Sequence, residues 1–273
     1  MPANEEEEHD KTYQVDHQHT YYHYYPDPRD HTMVILDYDN TLFPTSVWRS
    51  DAFRRLLDPQ KAALLVASGA SAYRLVAHCA AWSRVVIVSN GKRLWLNTSL
   101  KLPGYERLRA LLQDNEIPVL SAKEHAKLCG LDDQEACVWK RLCCAELLAY
   151  YHERGIMPLR VVSIGDKELD LSAIEANRRY LEEGTLLKIK LVEGPTVDEL
   201  IKEHELLSTH LLSLLAHSHM ENYEVVYHDT DGDDDEGEQE ELSLSPIDHP
   251  EVDDPQTYFS SFDLDGTTVC RPS

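Results

Sequence analysis

The sequence lacks several features that would place the chain in a specialised class of proteins. Its six cysteines form no CxxC pair, which argues against a disulfide framework and against a zinc site of paired cysteines. No apolar run approaches the roughly 18 residues of a membrane span, and no basic and then apolar leader stands near the N-terminus. We therefore expect reduced thiols, no membrane partner and a cytoplasmic protein, with a nuclear one as the alternative.

Positive charge is scarce, but only towards the two ends of the sequence. The formal net charge is −23; residues 1–31 carry 2 basic and 8 acidic side chains, residues 221–273 carry 1 and 17, and residues 32–220 carry 23 and 24. We expect a disordered, acidic leader rich in His and Tyr at 1–31, a folded domain at 32–220, and a mostly disordered acidic tail at 221–273. Such tails would repel nucleic acid, and the second is a candidate docking segment for a basic protein partner.

Between the tails, short β-branched runs alternate with helical stretches. Each run has the length of a buried parallel strand, and each gap is long enough for a helical crossover. The pattern predicts an α/β fold with a parallel sheet and helices on both faces. The predicted strands are Met33–Asp37, Val85–Ser89, Ile117–Leu120, Leu159–Ile164 and Leu186–Leu191.

Polar side chains collect where these strands end, which is where ligands bind in an open parallel sheet. The run "MVILDYDNT" places Asp37 and Asp39 two residues apart, so alternation along an extended strand would point both carboxylates the same way. Two such charges repel one another, and a cation or a reacting group would offset the cost. Ser89 and Asn90 follow the second strand, and Asp166 and Asp170 follow the fourth.

In this order, "DYDNT", "VVIVSN", a lysine ahead of the fourth strand and "GDKELD" resemble the four motifs of the haloacid dehalogenase superfamily. The resemblance spans about residues 32–215. It implies a three-layer Rossmann-like fold with strand order 5-4-1-2-3. The gaps at 45–84 and 91–139 leave room for little or no cap domain over the site.

The resemblance also implies a mechanism. The residue that matches Asp37 attacks phosphorus to form an aspartyl-phosphate, and the one that matches Asp39 is the general acid and base. Mg²⁺ would bind Asp37, the backbone carbonyl of Asp39 and Asp166, with Asp170 nearby. The residues expected to bind phosphate are Thr41, Ser89, Asn90 and the lysine.

Two lysines compete for the third motif. Lys140 precedes Asp166 by 26 positions and lies early in a helix that runs antiparallel to the strands, so it starts at the active edge. Lys123 follows the third strand, about 10 Å from the first at normal strand spacing. We choose Lys140 and keep Lys123 as the alternative.

A second copy of the first motif stands in "FDLDGTT", with Asp263, Asp265 and Thr267. No helix and no further strand follow it, so we reject it as a catalytic site. Chance in an Asp-rich tail, a remnant of a tandem unit, and a mimic that folds back onto the sheet remain open.

The sequence thus predicts a Mg²⁺-dependent phosphomonoester hydrolase acting on a phosphoprotein or a small phosphoester. A catalytically silent scaffold that binds partners through its acidic tails is the alternative, and phosphoryl transfer to another acceptor is a third. Each acid also has a plainer reading: Asp37 and Asp39 as a strand-end turn, and Asp166 as a helix cap.

Overall fold

Strands and helices alternate along the part of the chain that the structure describes. The computed structural model describes residues 31–50, 59–131, 133–156, 158–181, 184–217, 222–228 and 241–247. The strands are β1 (Thr32–Leu36), β2 (Arg84–Ser89), β3 (Val119–Ser121), β4 (Arg160–Gly165), β5 (Thr185–Lys190), β6 (Asn222–His228) and β7 (Glu241–Pro246). The helices are α1 (Thr45–Arg49), α2 (Pro59–Ala80), α3 (Arg93–Ser99), α4 (Glu106–Asp114), α5 (Ala122–Leu128), α6 (Ala136–Glu153), α7 (Glu168–Glu175) and α8 (Val197–His217), with a 3₁₀ turn at Arg178–Tyr180.

The strands form one seven-stranded sheet in the order β3-β2-β1-β4-β5-β6-β7. Neighbours from β3 to β6 are parallel, and β7 runs antiparallel to β6. The α/β class with a mostly parallel sheet is therefore confirmed. The first five strands lie within about two residues of the predicted runs, but the sheet does not stop at five strands.

The sheet extends beyond the predicted domain boundary at residue 220. The prediction that residues 221–273 are mostly disordered is wrong for 222–228 and 241–247, which form β6 and β7. The reason is local: residues 222–225 of β6 alternate polar with apolar side chains, and Tyr223 and Val225 are buried in the core despite the acidic composition around them. The predicted leader at 1–31, apart from its last residue, and the "FDLDGTT" copy lie outside the described residues.

The core occupies both faces of the sheet, because alternate residues of the central strand point to opposite sides. Val34 and Leu36 belong to the cluster on the face covered by α2, α4 and α8. Met33 and Ile35 belong to the other cluster, which includes buried residues of α6 such as Leu148. This two-sided burial explains why β1 reads as a continuous apolar run.

Helix α2 combines length with an apolar composition. It is the one helix in the described part of the chain that could cross a membrane by these criteria, and 44% of its most apolar stretch is buried inside the fold. A core helix passes the same test. Here α2 packs against α8 and α4, and Leu75 and Val76 are fully buried.

Candidate active site

The first strand delivers Asp37 to the side of the sheet that α6 covers. Strand β1 ends at Leu36, and the backbone N–H of Asp37 donates to the carbonyl of Ile164 at 2.9 Å, which continues the pairing with β4 for one more residue. Asp37 follows Met33 and Ile35 in the alternation, so its side chain lies over the α6 face. The side chain is buried.

Lys140 reaches Asp37 from the first half of α6. Its Nζ donates to Asp37 Oδ1 at 2.6 Å and to Asp170 Oδ1 at 2.7 Å, and its side chain is 3% exposed. Lys123 lies elsewhere, with its Nζ 4.7 Å from the centroid of the Trp139 ring. Of the two candidate lysines, the structure therefore brings Lys140 to the aspartate.

Two further carboxylates reach the same point from the end of β4. Asp166 follows the strand directly, and Asp170 lies in the first turn of α7. One carboxylate oxygen from each of Asp37, Asp166 and Asp170 lies within 4.8 Å of the others, and all three residues are buried. We call this set the acid cluster.

Gly165 allows the acid cluster to close. A Cβ at this position would lie 2.9 Å from the Cβ of Asp170 and 3.2 Å from its Oδ2. Contacts this short between carbon atoms would force the first turn of α7 to move. The glycine ahead of Asp166 is therefore needed for close approach and not for an unusual backbone angle.

The acid cluster carries more negative charge than Lys140 balances. Burial raises the pKa of Asp37 to about 8, Lys140 opposes this shift, and repulsion from Asp170 and Asp39 adds to it. Burial also raises the pKa of Asp166, against a hydrogen bond from Asn40. Burial lowers the pKa of Lys140, but its two carboxylate partners outweigh this, and the net shift is upward. An additional cation would lower the cost of keeping all three acids ionised.

Asp39 has a separate set of partners. Its Oδ1 accepts hydrogen bonds from Thr45 Oγ1 at 2.6 Å and from Trp95 Nε1 at 2.9 Å, and its Oδ2 accepts one from Ser89 Oγ at 2.8 Å. Because β1 ends at Leu36, the alternation of the strand does not extend to Asp39. The carboxylates of residues 37 and 39 are close enough to repel one another but are held by different donors.

The turn after β1 depends on Asn40, which the sequence reasoning missed. Asn40 has a φ of 61°, a left-handed conformation that asparagine tolerates better than most residues. Its Nδ2 donates to Asp166 Oδ2 at 3.2 Å, and its Oδ1 accepts from the backbone N–H of Ser46 at 2.8 Å. Asn40 thus links the β1 turn to the end of β4. The sequence signal that could have identified Asn40 is an asparagine close to two aspartates at the end of a strand.

The predicted phosphate-binding residues differ in how their side chains are engaged. Ser89 Oγ donates to Asp39 and accepts from the backbone N–H of Gly91 at 2.8 Å, so it positions the second aspartate. Thr41 Oγ1 and Asn90 Oδ1 are buried and have no hydrogen-bond partner among the described residues. Buried polar atoms of this kind are costly, so both positions suit a polar ligand or water.

A buried histidine on α8 stabilises the turn that follows β1. His204 on α8 donates from Nε2 to the carbonyl of Thr41 at 2.7 Å, and its Nδ1 lies 2.8 Å from Ser71 Oγ. A carbonyl only accepts, so the proton of the neutral ring is on Nε2. Burial lowers the pKa of His204 to about 4, and the charge of Arg74 adds to the shift. We call Ser71, His204 and Thr41 the histidine chain.

The cavity of about 170 Å³ in the described residues lies at the other end of the strands. It is lined by the first residues of β2, Arg84 and Val85, and by the segment 115–118 ahead of β3. The acid cluster lies at the opposite, carboxyl ends of β1 and β4. The cavity is therefore not part of the candidate active site.

The protein is thus an α/β protein with a mostly parallel sheet. Buried carboxylates lie at the carboxyl ends of its central strands, and Lys140 bridges two of them. Comparison with protein-family models, with curated proteins and with solved structures finds no match for this chain.

Proposed function

We propose that the protein is a Mg²⁺-dependent phosphomonoester hydrolase that works through an aspartyl-phosphate on Asp37. The main support is the bridge that Lys140 makes between Asp37 and Asp170 inside the acid cluster. The resemblance of four sequence motifs to the haloacid dehalogenase superfamily supports the same proposal. It also implies the finer architecture, a Rossmann-like fold with little or no cap.

The donor atoms suit a hard divalent cation. The acid cluster offers carboxylate oxygens, the ligand type that Mg²⁺ prefers, and its three acids lie beside a single ammonium group. We assign the ligands to Asp37, Asp166 and the backbone carbonyl of Asp39, with Asp170 held by Lys140 as a supporting group. When bound, Mg²⁺ would neutralise charge on the phosphoryl oxygens and orient the phosphoryl group.

Asp37 is the proposed nucleophile, and a cation bound beside it would counter the burial that raises its pKa. Lys140 occupies Oδ1 of its carboxylate, which leaves Oδ2 without that partner. We assign to Asp37 the attack on phosphorus, in which a new O–P bond forms and the bond to the leaving oxygen breaks. The ammonium of Lys140 balances the charge on the carboxylate and on the entering phosphoryl group.

Asp39 would transfer the protons. It gives a proton to the leaving oxygen in the first step. In the second it takes one from a water molecule that attacks the aspartyl-phosphate, releasing phosphate and restoring Asp37. Ser89, Trp95 and Thr45 hold its carboxylate in place. Thr41 Oγ1 and Asn90 Nδ2 are the proposed donors to the remaining phosphate oxygens, since the unpartnered Oδ1 of Asn90 only accepts hydrogen bonds.

The proposed substrate is a phosphoprotein or a small phosphoester. The sequence leaves little room for a cap that would close over a small molecule, which favours access by a larger substrate. The acidic ends of the sequence disfavour nucleic acid because its phosphates would be repelled. A basic protein partner that binds these ends fits the same charge pattern.

Hydrolysis of a generic phosphomonoester tests the proposal. We expect turnover that needs Mg²⁺ and falls on the order of 10³-fold or more in Asp37→Asn, since the nucleophile is lost. The matched control is Asp263→Asn in the C-terminal copy "FDLDGTT", which should retain full activity. Equal rates in wild type and Asp37→Asn, or no turnover of any phosphomonoester, would contradict the proposal and favour a silent binding protein.

A further inference from the structure

A second group of metal-ligating side chains lies between α5 and α6, apart from the acid cluster. His125 is on α5, Cys129 follows at the end of the same helix, and Glu146 is on α6. Residues four apart on a helix share one face, so His125 and Cys129 point together towards α6. All three residues can offer a ligand atom within 4.8 Å of the others.

The distances between these atoms are close to those of a tetrahedral zinc centre. His125 Nε2 lies 3.1 Å from Glu146 Oε2, Cys129 Sγ lies 4.0 Å from His125 Nε2, and Cys129 Sγ lies 3.8 Å from Glu146 Oε1. Zinc bonds of about 2.0–2.3 Å at tetrahedral angles separate neighbouring ligand atoms by about 3.3–3.6 Å. His125 and Cys129 contact different oxygens of Glu146, so a rotation of this carboxylate together with small shifts would complete three corners of the tetrahedron.

We propose that His125, Cys129 and Glu146 form a zinc-type metal site whose fourth position is open to solvent. One nitrogen, one sulfur and one oxygen suit Zn²⁺, whereas a thiolate disfavours Mg²⁺. His125 and Cys129 are half-buried and Glu146 is exposed, so a water molecule can take the remaining position. The sequence contains no CxxC pair, and this site needs none because two helices supply its ligands.

The site is separate from the candidate active site. Glu146 follows Lys140 by six residues on α6, which places it about 9 Å further along the helix axis. The ligand atoms of the proposed zinc site, one nitrogen, one sulfur and one oxygen, also differ from the carboxylate oxygens of the acid cluster. A metal bound here would fasten α5 to the helix that carries Lys140, and it would do so without contact with the acid cluster.

The competing interpretation is an ordinary ion pair. His125 and Glu146 form one when the imidazole is protonated, and such a pair needs neither a metal nor Cys129. The two interpretations therefore differ in their dependence on the thiol. They also differ in pH dependence, since metal binding requires the neutral imidazole and the ion pair requires the charged one.

A metal site and an ion pair can be distinguished with Co²⁺, a spectroscopic substitute for Zn²⁺. The reduced full-length protein is titrated with this ion. Saturating Mg²⁺ is kept present to occupy oxygen-only sites. We expect a thiolate-to-cobalt charge-transfer band in the near ultraviolet that saturates at one ion per chain and is abolished by Zn²⁺. Cobalt bound by histidines of residues 1–31 would lack this band, because that segment contains no cysteine.

Cys129→Ser should abolish the band and weaken Co²⁺ binding at least tenfold. Cys137→Ser is the matched control, because Cys137 is a half-buried cysteine on α6 whose Sγ lies 3.7 Å from Glu135 Oε2, and this variant should retain the band. Glu146→Gln, at an exposed position that tolerates the change, should weaken binding with the circular dichroism spectrum unchanged. Absence of the band in wild type, its survival in Cys129→Ser, or its equal loss in Cys137→Ser would overturn the proposal.

Discussion

The acid cluster and the histidine chain are two buried polar groups that flank the same turn after β1, yet their charge states differ. His204 is neutral, and both of its ring nitrogens have hydrogen-bonding partners. The acid cluster combines three carboxylates with one ammonium, and burial raises the pKa of Asp37 and Asp166. The histidine chain is complete by itself, whereas the acid cluster has an excess of charge that a ligand can offset.

We interpret this difference as one between structural support and a candidate binding site. A neutral, satisfied hydrogen-bond chain stabilises the turn and needs no further component. A buried excess of charge costs free energy in the absence of a ligand, and proteins retain such an arrangement where function requires it. Four experiments test this contrast.

Removal of Lys140 should have the largest effect on stability. Lys140→Met leaves Asp37 and Asp170 buried without their cation, and breaking a buried pair in this way costs about 3–5 kcal/mol. The matched control is Lys123→Met, which loses a cation–π contact with Trp139 worth about 0.5–1 kcal/mol. Urea unfolding at neutral pH measures both. Equal losses in the two variants would mean that the acid cluster does not depend on Lys140.

The histidine chain should make stability depend on pH. Burial lowers the pKa of His204 to about 4 in the folded protein, against 6.5 for a solvent-exposed histidine. As the pH falls from 6.5 to 4, the unfolded chain takes up a proton that the folded protein does not, so the free energy of unfolding decreases. The shift corresponds to about 3 kcal/mol.

His204→Gln removes this titration and keeps a donor for the Thr41 carbonyl. The difference in free energy of unfolding between wild type and variant should therefore shrink by about 2–3 kcal/mol between pH 7 and pH 4. Denaturant unfolding at a series of pH values measures it. A constant difference across this range would show that His204 is not buried as the neutral imidazole.

Mg²⁺ should stabilise the protein through the acid cluster. A ligand that binds only the folded state adds about 2.7 kcal/mol at one hundred times its dissociation constant. Asp166→Asn should lose this response while remaining folded, since it removes one of the repelling carboxylates. Asp133→Asn, an exposed position outside the cluster, is the control. The same gain in both variants would place the cation elsewhere.

Gly165→Ala should have the smallest effect of the four. The added Cβ would displace Asp170, at a cost of about 1–3 kcal/mol for overpacking. The change should also weaken the stabilisation by Mg²⁺, because Asp170 orients Lys140. Gly155→Ala is a useful comparison: its φ of 67° strains any side chain, but open space surrounds the added methyl group. Its Mg²⁺ response should be unchanged, whereas a normal response in Gly165→Ala would mean that Asp170 tolerates displacement.

Sequence reasoning located the acids because strand ends are local features. The apolar run before Asp37 and the turn chemistry at Gly165 and Asp166 are visible without coordinates, and the direction of α6 was sufficient to choose Lys140 for the contact with Asp37. The inference about the acids needs only the rule that ligands bind at the carboxyl ends of parallel strands, whereas a lysine was sought because of the motif resemblance.

The features that were missed depend on contacts between distant segments. Trp95 is 56 residues from Asp39 and reaches it only because α3 follows β2 closely. His204 contacts Thr41 across 163 residues, on a helix whose pattern indicates core packing alone. Strand β6 was missed for a different reason, since acidic composition concealed a short alternating run.

The most direct test of the account is to look for the phosphoryl group on Asp37. Wild type, Asp39→Asn and Asp37→Asn are incubated with a phosphomonoester and Mg²⁺ and quenched in acid, and the peptide that contains residue 37 is then analysed by mass spectrometry. We predict a hydroxylamine-labile phosphoryl group on Asp37 in wild type and none in Asp37→Asn. With an aryl phosphate, whose leaving group needs no proton, the group should persist longer in Asp39→Asn, because no base activates the attacking water. A protein that turns over substrate with no phosphoryl group on residue 37, or with the group on another residue, would contradict the account.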